Sequence, residues 1–208
     1  MTSKRVDDPA AYGEQNDLTL VDRLGVWLSS NRLRRVVGSF SEKRIGDFGC
    51  GYNATFGRSV LDEVCFAVLV DVSLADDLKA HAKVCAIEGR LPESFDAVPT
   101  ASLDVALCIS TLEHLSEPLE VLKELHRVTA PGGVCLISVP SWLGKRALEF
   151  SAFRLGLSPA ESIDDHKSYY NPRDIWPLLV RAGFRPRHIR CYRHKFLLNT
   201  FAECTVEP

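Results

Sequence analysis

No apolar run in this chain of 208 residues approaches the ~18 residues that a helix needs to cross a bilayer, so the sequence predicts no membrane span. The first residues, Met1 to Asp8, lack the apolar core of a secretory signal. Charge of either sign is not in excess: 25 Lys and Arg stand against 27 Asp and Glu, which removes any general electrostatic reason to bind nucleic acid or a membrane. No cysteine pair has C-x-x-C spacing. Cys50, Cys65, Cys85, Cys108, Cys135, Cys191 and Cys204 stand singly, several inside apolar runs where Cys acts as a small hydrophobe. A zinc ribbon and a disulfide framework are thereby disfavoured, and a reducing, cytoplasmic setting is expected. Internal repeats and low-complexity tracts are also missing, and no metal site is expected.

What is present is a regular alternation of two periodicities, in a chain that is 46% hydrophobic and large enough to bury one core without a second domain. An amphipathic helix over 18–38 precedes a strand near 43–48. A helix over 54–63, a strand over 66–71, a short helix over 74–82 and a strand over 83–87 follow. The next strand spans 103–109. Ser116 and Pro118 open a helix expected to stop at Pro131-Gly132-Gly133, with a strand over 134–139 beyond it. After a helix over 172–182, the segments 186–193 and 196–204 are spaced as an antiparallel hairpin at a sheet edge. Continuous apolar strands alternating with helices imply a parallel sheet covered on both faces.

The most informative stretch is Ile45-Gly46-Asp47-Phe48-Gly49-Cys50-Gly51-Tyr52-Asn53. A strand ends on an acid and turns through two glycines towards a helix, where the backbone can approach a ligand with no Cβ in the way. Asp71 closes the next strand, 22 positions beyond Gly49, the place from which a carboxylate grips the hydroxyls of a ribose. An adenosine-type cofactor follows. Gly49, Gly51 and Ala54 also fit the G-x-G-x-x-G/A pattern of nicotinamide enzymes, but Asp47 puts a negative charge beneath the turn. That charge repels a pyrophosphate and suits S-adenosylmethionine, which carries an ammonium and a sulfonium.

At this point the chain resembles class I S-adenosylmethionine-dependent methyltransferases. Asp47-Phe48-Gly49-Cys50-Gly51 resembles their D-x-G-x-G motif, and the likeness runs on through Asp71, Leu91-Pro92, Ser102 to Leu107 and Thr111-Leu112-Glu113-His114-Leu115. It continues with Leu125 to Gly133 and Ala182-Gly183-Phe184, covering residues 40 to 190. A departure is Asn53, where many members carry a third glycine; Asn tolerates positive φ better than most residues. The resemblance implies an α/β, Rossmann-like, seven-stranded and mostly parallel sheet with a reversed last strand and helices on both faces. The chain is expected to be one methyltransferase domain over 1–208, a monomer or homodimer that yields S-adenosylhomocysteine. Implied cofactor-binding positions are Asp47, Gly49, Cys50, Gly51, Asn53, Asp71, Val72, Glu88, Gly89, Ile109 and Ser110, with Thr111 beside them.

Methyl transfer to a hydroxyl asks the protein to align the acceptor and remove a proton. His114 and His166 are the candidate bases, since imidazole titrates near neutrality; a structural hydrogen bond and a surface loop are the competing readings. The stretch 140–168 follows the fifth strand and carries Trp142, Phe150, Phe153, Leu155 and Leu157, which suits a cap over the acceptor or a helical decoration of the core. Residues near Tyr12 would close the pocket from the other side. Neither Asn/Asp-Pro-Pro-Tyr/Phe nor Pro-Cys follows the fourth strand, which disfavours nucleobase methylation. A basic tract, Arg181 to Lys195, reads as an RNA-docking face or, more simply, as the solvated side of an edge hairpin. A small-molecule acceptor, methylated on oxygen, is the leading expectation; sugars, lipids and secondary metabolites are the acceptor classes. The alternatives are an RNA or protein methyltransferase and a non-catalytic binding protein of the same fold.

Overall fold

The computed structural model describes residues 11, 13, 14, 20–150 and 167–208. The expected alternation is present. Helix α1 (Leu20–Val37) leads into β1 (Arg44–Phe48), α2 (Thr55–Val60), β2 (Phe66–Asp71), α3 (Asp76–Lys79) and β3 (Val84–Glu88). Then come β4 (Leu103–Ile109), α4 (Pro118–Val128), β5 (Thr129–Pro140), α5 (Trp142–Phe150), α6 (Pro172–Arg181), β6 (Ile189–His194) and β7 (Asn199–Thr205). Among the described residues, no helix is long and apolar enough to cross a membrane.

The strands form one sheet in the order β3-β2-β1-β4-β5-β7-β6. Only β7 runs against its neighbours, pairing antiparallel with both β5 and β6. This is the seven-stranded sheet with a reversed last strand that the sequence predicts. Strand order leaves β1 in one direction through β2 and β3 and in the other through β4 and β5. A crevice therefore opens beyond the carboxyl ends of β1 and β4, the usual ligand position in such sheets.

Two apolar layers hold the sheet. On one face Phe48 and Phe95 stack with ring centroids 4.3 Å apart, packed with Val121, Leu122 and Leu125 of α4 and Ile175 and Leu179 of α6. On the other, Leu33, Phe40, Phe56, Val60 and Leu78 bring α1, α2 and α3 onto Ile45, Leu69 and Leu107. Each such side chain contributes about 1.5–3 kcal/mol on burial. Register between β1 and β4 is reinforced by Asp104, whose carboxylate accepts the Arg44 backbone N–H at 2.8 Å and its guanidinium at 2.8 and 3.1 Å.

The helices expected over 54–63 and 74–82 are shorter, Thr55–Val60 and Asp76–Lys79. The strand expected over 186–193 begins at Ile189, after a 3-10 turn at Pro186–His188, and one boundary differs in character. Helix α4 ends at Val128 and strand β5 begins at Thr129, before Pro131-Gly132-Gly133 rather than after it. The tripeptide forms an irregularity inside the strand, where the β4–β5 register shifts between Leu103 and Val105. Gly133 is needed there, since a Cβ would lie 2.8 Å from the Ala130 carbonyl and 3.0 Å from that of Asp104. The helix is stopped earlier, at Thr129, whose hydroxyl donates back to the Leu125 carbonyl at 2.6 Å.

Candidate active site

The turn after β1 is strapped to the end of β2. Gly49 and Cys50 donate backbone N–H groups to the Val70 carbonyl at 2.8 and 3.2 Å. Gly51 donates to Asp71 Oδ2 at 2.7 Å, while Val72 donates to Asp71 Oδ1 at 2.8 Å. Gly49 and Gly51 have φ of +79° and +75°, the left-handed region where only glycine is unstrained. Gly49 is also excluded from bearing a side chain by its neighbour: a Cβ would lie 2.2 Å from Thr111 Oγ1 and Cγ2. The third left-handed residue is Ala54, at φ +40°, rather than Asn53. Ala54 sits at the start of α2 with its methyl wholly buried, while Asn53 is exposed.

Two acids define the electrostatics. Asp47 is 5% exposed, and among the described residues no hydrogen bond reaches its carboxylate. Burial, reinforced by the nearby charge of Asp71, raises its pKa to about 7. Asp71 is also raised by burial, against the opposing effect of the Gly51 and Val72 N–H groups. Each Asp71 oxygen has spent one lone pair on the turn and keeps another for a ligand. Two acids in each other's field at the mouth of a crevice suit a cation between them. The chain's residues thus fit a cofactor with an ammonium group and a diol, and they oppose a pyrophosphate.

The remaining predicted cofactor positions surround this turn. Gly89 donates its N–H to the Asp71 carbonyl at 2.9 Å, which ties the end of β3 to that of β2. Glu88 is partly committed elsewhere: Oε1 accepts the Leu74 N–H at 2.8 Å and Lys79 at 3.2 Å, and these bonds hold its pKa down. Burial pushes the Cys50 thiol up. Ile109 and Ser110 close β4. Ser110 is exposed at φ +54°, a strained conformation for a serine, held by its N–H on the Ser138 carbonyl at 2.7 Å. Thr111 completes the joint, its hydroxyl donating to the Gly49 carbonyl at 3.1 Å. Of the N-terminal segment, Gly13 lies beside this turn, with Asn53 Nδ2 3.5 Å from its carbonyl; Tyr12 is outside the described residues.

His114 lies in a short 3-10 turn, Leu112–His114, directly after β4, half-buried at the same edge. His166 is outside the described residues. Its neighbours Lys167 and Ser168 are pinned to this turn, donating N–H groups to the Glu113 carbonyl at 2.8 and 3.2 Å. Glu113 itself is 2% exposed, and its Oε2 is buried without a hydrogen-bond partner. Burial raises its pKa to about 8, opposed by the positive charge of Lys195. In the sequence Glu113 is read as a member of the Thr111–Leu115 motif and, with Asp164, Asp165 and the histidines, as a metal-ligand set whose spacing matches no metal motif; nothing local signals its burial. Lys195 arrives from the β6–β7 turn: the spacing predicts that hairpin, but its place beside Glu113 comes from the β5–β7 pairing, which no local pattern reveals.

Much of the basic tract points away from this edge. Arg187, His188 and Arg190 line a cavity of about 450 Å³ with Lys43 and Asp104, at the amino ends of the strands. Arg185 pairs with Glu207 at 2.6 Å, and Arg187 pairs with the same carboxylate. Among the described residues no group of His, Cys, Asp and Glu is arranged to hold a metal ion.

Comparison with known proteins places this geometry. A family model described as a methyltransferase domain matches residues 27–189. A ubiquinone biosynthesis O-methyltransferase of Bordetella pertussis is 26% identical over 172 residues, covering 76% of this chain and 68% of the relative. An S-adenosylmethionine-dependent methyltransferase from Archaeoglobus fulgidus superposes with a TM-score of 0.61 at 16% identity, covering 86% of this chain and 93% of the other. The [4+2]-cyclase SpnF superposes with a TM-score of 0.64 at 14% identity, over 96% and 87% of the two chains. The fold therefore carries more than one chemistry, and the reaction must be argued from the site.

Proposed function

Because the chain belongs to the methyltransferase domain family, we propose that it transfers a methyl group from S-adenosylmethionine to a hydroxyl of a small-molecule acceptor. The cofactor, when bound, supplies a methyl group activated by the sulfonium. The chain's own residues do the rest. In this reading the turn from Gly49 to Gly51 presents open backbone, and Asp71 accepts the ribose hydroxyls on its free lone pairs. Asp47 takes the ammonium side, where its charge is otherwise without a partner. Ile109 and Ser110 line the floor. His114, on the turn that follows β4, removes the acceptor proton, and α5 covers the acceptor; the rest of the expected cap, residues 151–166, lies outside the described residues.

The observation that carries the proposal is the meeting, at the point where strand order reverses, of a glycine turn with two acids and a histidine at one sheet edge. Similarity to an O-methyltransferase supports oxygen as the methylated atom. The placement of Arg187 and Arg190 at the opposite, amino edge weighs against the basic tract as an RNA dock beside the reacting methyl.

Calorimetric titration of the full chain with S-adenosylmethionine, S-adenosylhomocysteine and NADH is the first test. Binding of the first two in the micromolar range (about −8 kcal/mol), with none of NADH, is expected. Binding of NADH alone would overturn the cofactor assignment. Transfer of labelled methyl to a panel of phenols, sugars and RNA then tests the acceptor. Label appearing in RNA but in no small molecule would refute the small-molecule reading. His114→Ala should slow transfer at least about tenfold (about 1.4 kcal/mol in barrier) while cofactor affinity holds.

A further inference from the structure

Four buried side-chain oxygens lack a hydrogen-bond partner among the described residues: Ser29 Oγ, Glu113 Oε2, Ser138 Oγ and Thr200 Oγ1. Folded proteins leave few such groups unpaired, because each has lost its bonds to water without replacement. Three of the four belong to the carboxyl edge of the sheet. Ser138 and Thr200 lie where β5 pairs with β7, opposite Phe201 and Val139, and Glu113 is on the turn that follows β4.

Helix α1 brings Ser29 to the same edge. Gly25, Ser29 and Leu33 are each four residues apart and share one face of the helix. Leu33 is buried in the layer of Ile45, Leu107, Leu136 and Phe201, so that face is turned to the sheet. Phe201 stands directly opposite Ser138, and opposite residues share a sheet face, which puts the Ser138 hydroxyl on the α1 side. Thr200, the next residue, is on the other side and takes no further part. The helix stripe thus passes from a leucine over the core to a serine and then to a glycine. A Cβ on Gly25 would meet only one atom among the described residues, Lys195 Nζ at 3.8 Å.

Lys195 completes the group. His194 draws the β6–β7 turn onto α1: its Nε2 lies 3.3 Å from the Leu28 carbonyl, and its ring stands edge-on to Phe201 with centroids 5.8 Å apart. The Lys195 amine is half-buried and has neither a hydrogen bond nor an ion pair among the described residues, yet it stands in the field of Glu113. A carboxylate and an ammonium group are therefore held near each other without pairing, with two unpartnered hydroxyls, on the edge that carries Ser110 and His114. A neutral hydroxyl donates to the carboxylate and accepts from the ammonium group. A ligand carboxylate would be repelled by Glu113 and a ligand amine by Lys195, and an apolar ring would leave all four groups unpaired.

We propose that Ser29, Glu113, Ser138 and Lys195 form the acceptor subsite for a neutral polyhydroxylated molecule, a sugar or a cyclic polyol. One hydroxyl is presented to His114 while its neighbours are held by these four residues. The inference rests on the methyl-transfer reading above and concerns only how the acceptor is held.

The test is transfer of labelled methyl by the full chain to two panels: free hexoses with myo-inositol, and monohydric phenols. Transfer to a member of the first panel, with kcat/KM at least about tenfold above that of any phenol, is expected. Ser29→Ala/Ser138→Ala and, separately, Lys195→Met should raise KM for that sugar at least about tenfold, with affinity for S-adenosylmethionine unchanged. Gly25→Leu, which fills the space beside Lys195, should raise KM in the same way. If the two serines were merely structural, their loss would lower the melting temperature of the ligand-free chain; removal of unpaired buried hydroxyls should leave it unchanged or raise it. A sugar KM unchanged in these variants would overturn the proposal. Label in phenols alone, or in neither panel while the cofactor binds, would also overturn it and leave the cofactor assignment standing. Failure to bind S-adenosylmethionine would remove both.

Discussion

Thr111 and Gly49 meet so closely that the end of β4 and the cofactor turn form one joint: the threonine hydroxyl donates to the Gly49 carbonyl at 3.1 Å, above a site where no Cβ fits. Gly49→Ala must both strain a backbone at φ +79° and displace that threonine. We expect cofactor affinity, measured by calorimetry, to fall more than about tenfold, or about 1.4 kcal/mol. Thr111→Ala should not rescue the variant, because the Thr111 Cβ itself would lie 2.7 Å from the added carbon. Full rescue would show that the contact, and not the turn's conformation, decides the position.

Asp71 holds the turn through Gly51 and Val72 while, in our proposal, it also binds the ribose. Asp71→Ala removes both roles and should weaken binding more than about tenfold. Asp71→Asn keeps one carbonyl acceptor and loses the charge. An intermediate loss with an unchanged melting temperature would separate ligand recognition from support of the turn; unchanged affinity in both would remove Asp71 from the site.

Asp47 titrates near 7 in the fold against an ordinary value of 3.8. Between those values the folded chain keeps a proton that the unfolded chain has released, so rising pH lowers the stability of the ligand-free protein. Glu113 acts with the same sign up to about 8. Thermal unfolding in steps from about pH 5 to 8 should show this decline, and Asp47→Asn should remove the Asp47 share of it.

Cofactor binding should run the other way. An ammonium group needs Asp47 ionised, so affinity for S-adenosylmethionine should rise as pH passes through about 7, with a proton released on binding. Titration in buffers of different ionisation enthalpy measures that proton. Asp47→Asn should bind more weakly at high pH and lose the pH dependence; a pH-independent parent would remove Asp47 from contact with the ligand's charge.

Phe48 ends β1 fully buried and stacked on Phe95, beneath the turn rather than in it. Phe48→Ala should cost about 3–5 kcal/mol in denaturant unfolding. A loss below about 1 kcal/mol would mean that the neighbouring side chains collapse into the space.

Local pattern in the chain was enough to read much of the sheet. Phe66–Asp71 and Leu103–Ile109 are continuous apolar runs bounded by turn residues, and both strands have the predicted limits, because burial on two faces demands such runs. It also placed Asp47, Gly49, Gly51 and Asp71 within reach of one another, since strand–turn–helix chemistry is local. Other features depended on partners distant in sequence. Pro131-Gly132-Gly133 reads locally as a helix stop, yet it lies within β5 because Thr129 pairs with Leu103 across the sheet. The left-handed residue of the turn is Ala54 rather than Asn53 because packing, and not propensity, chose which side chain to bury. Lys195 and the exposed hairpin tip reach the edge that carries Glu113 only because β7 inserts between β5 and β6. That insertion is decided by long-range pairing and core packing, which no window of neighbouring residues contains.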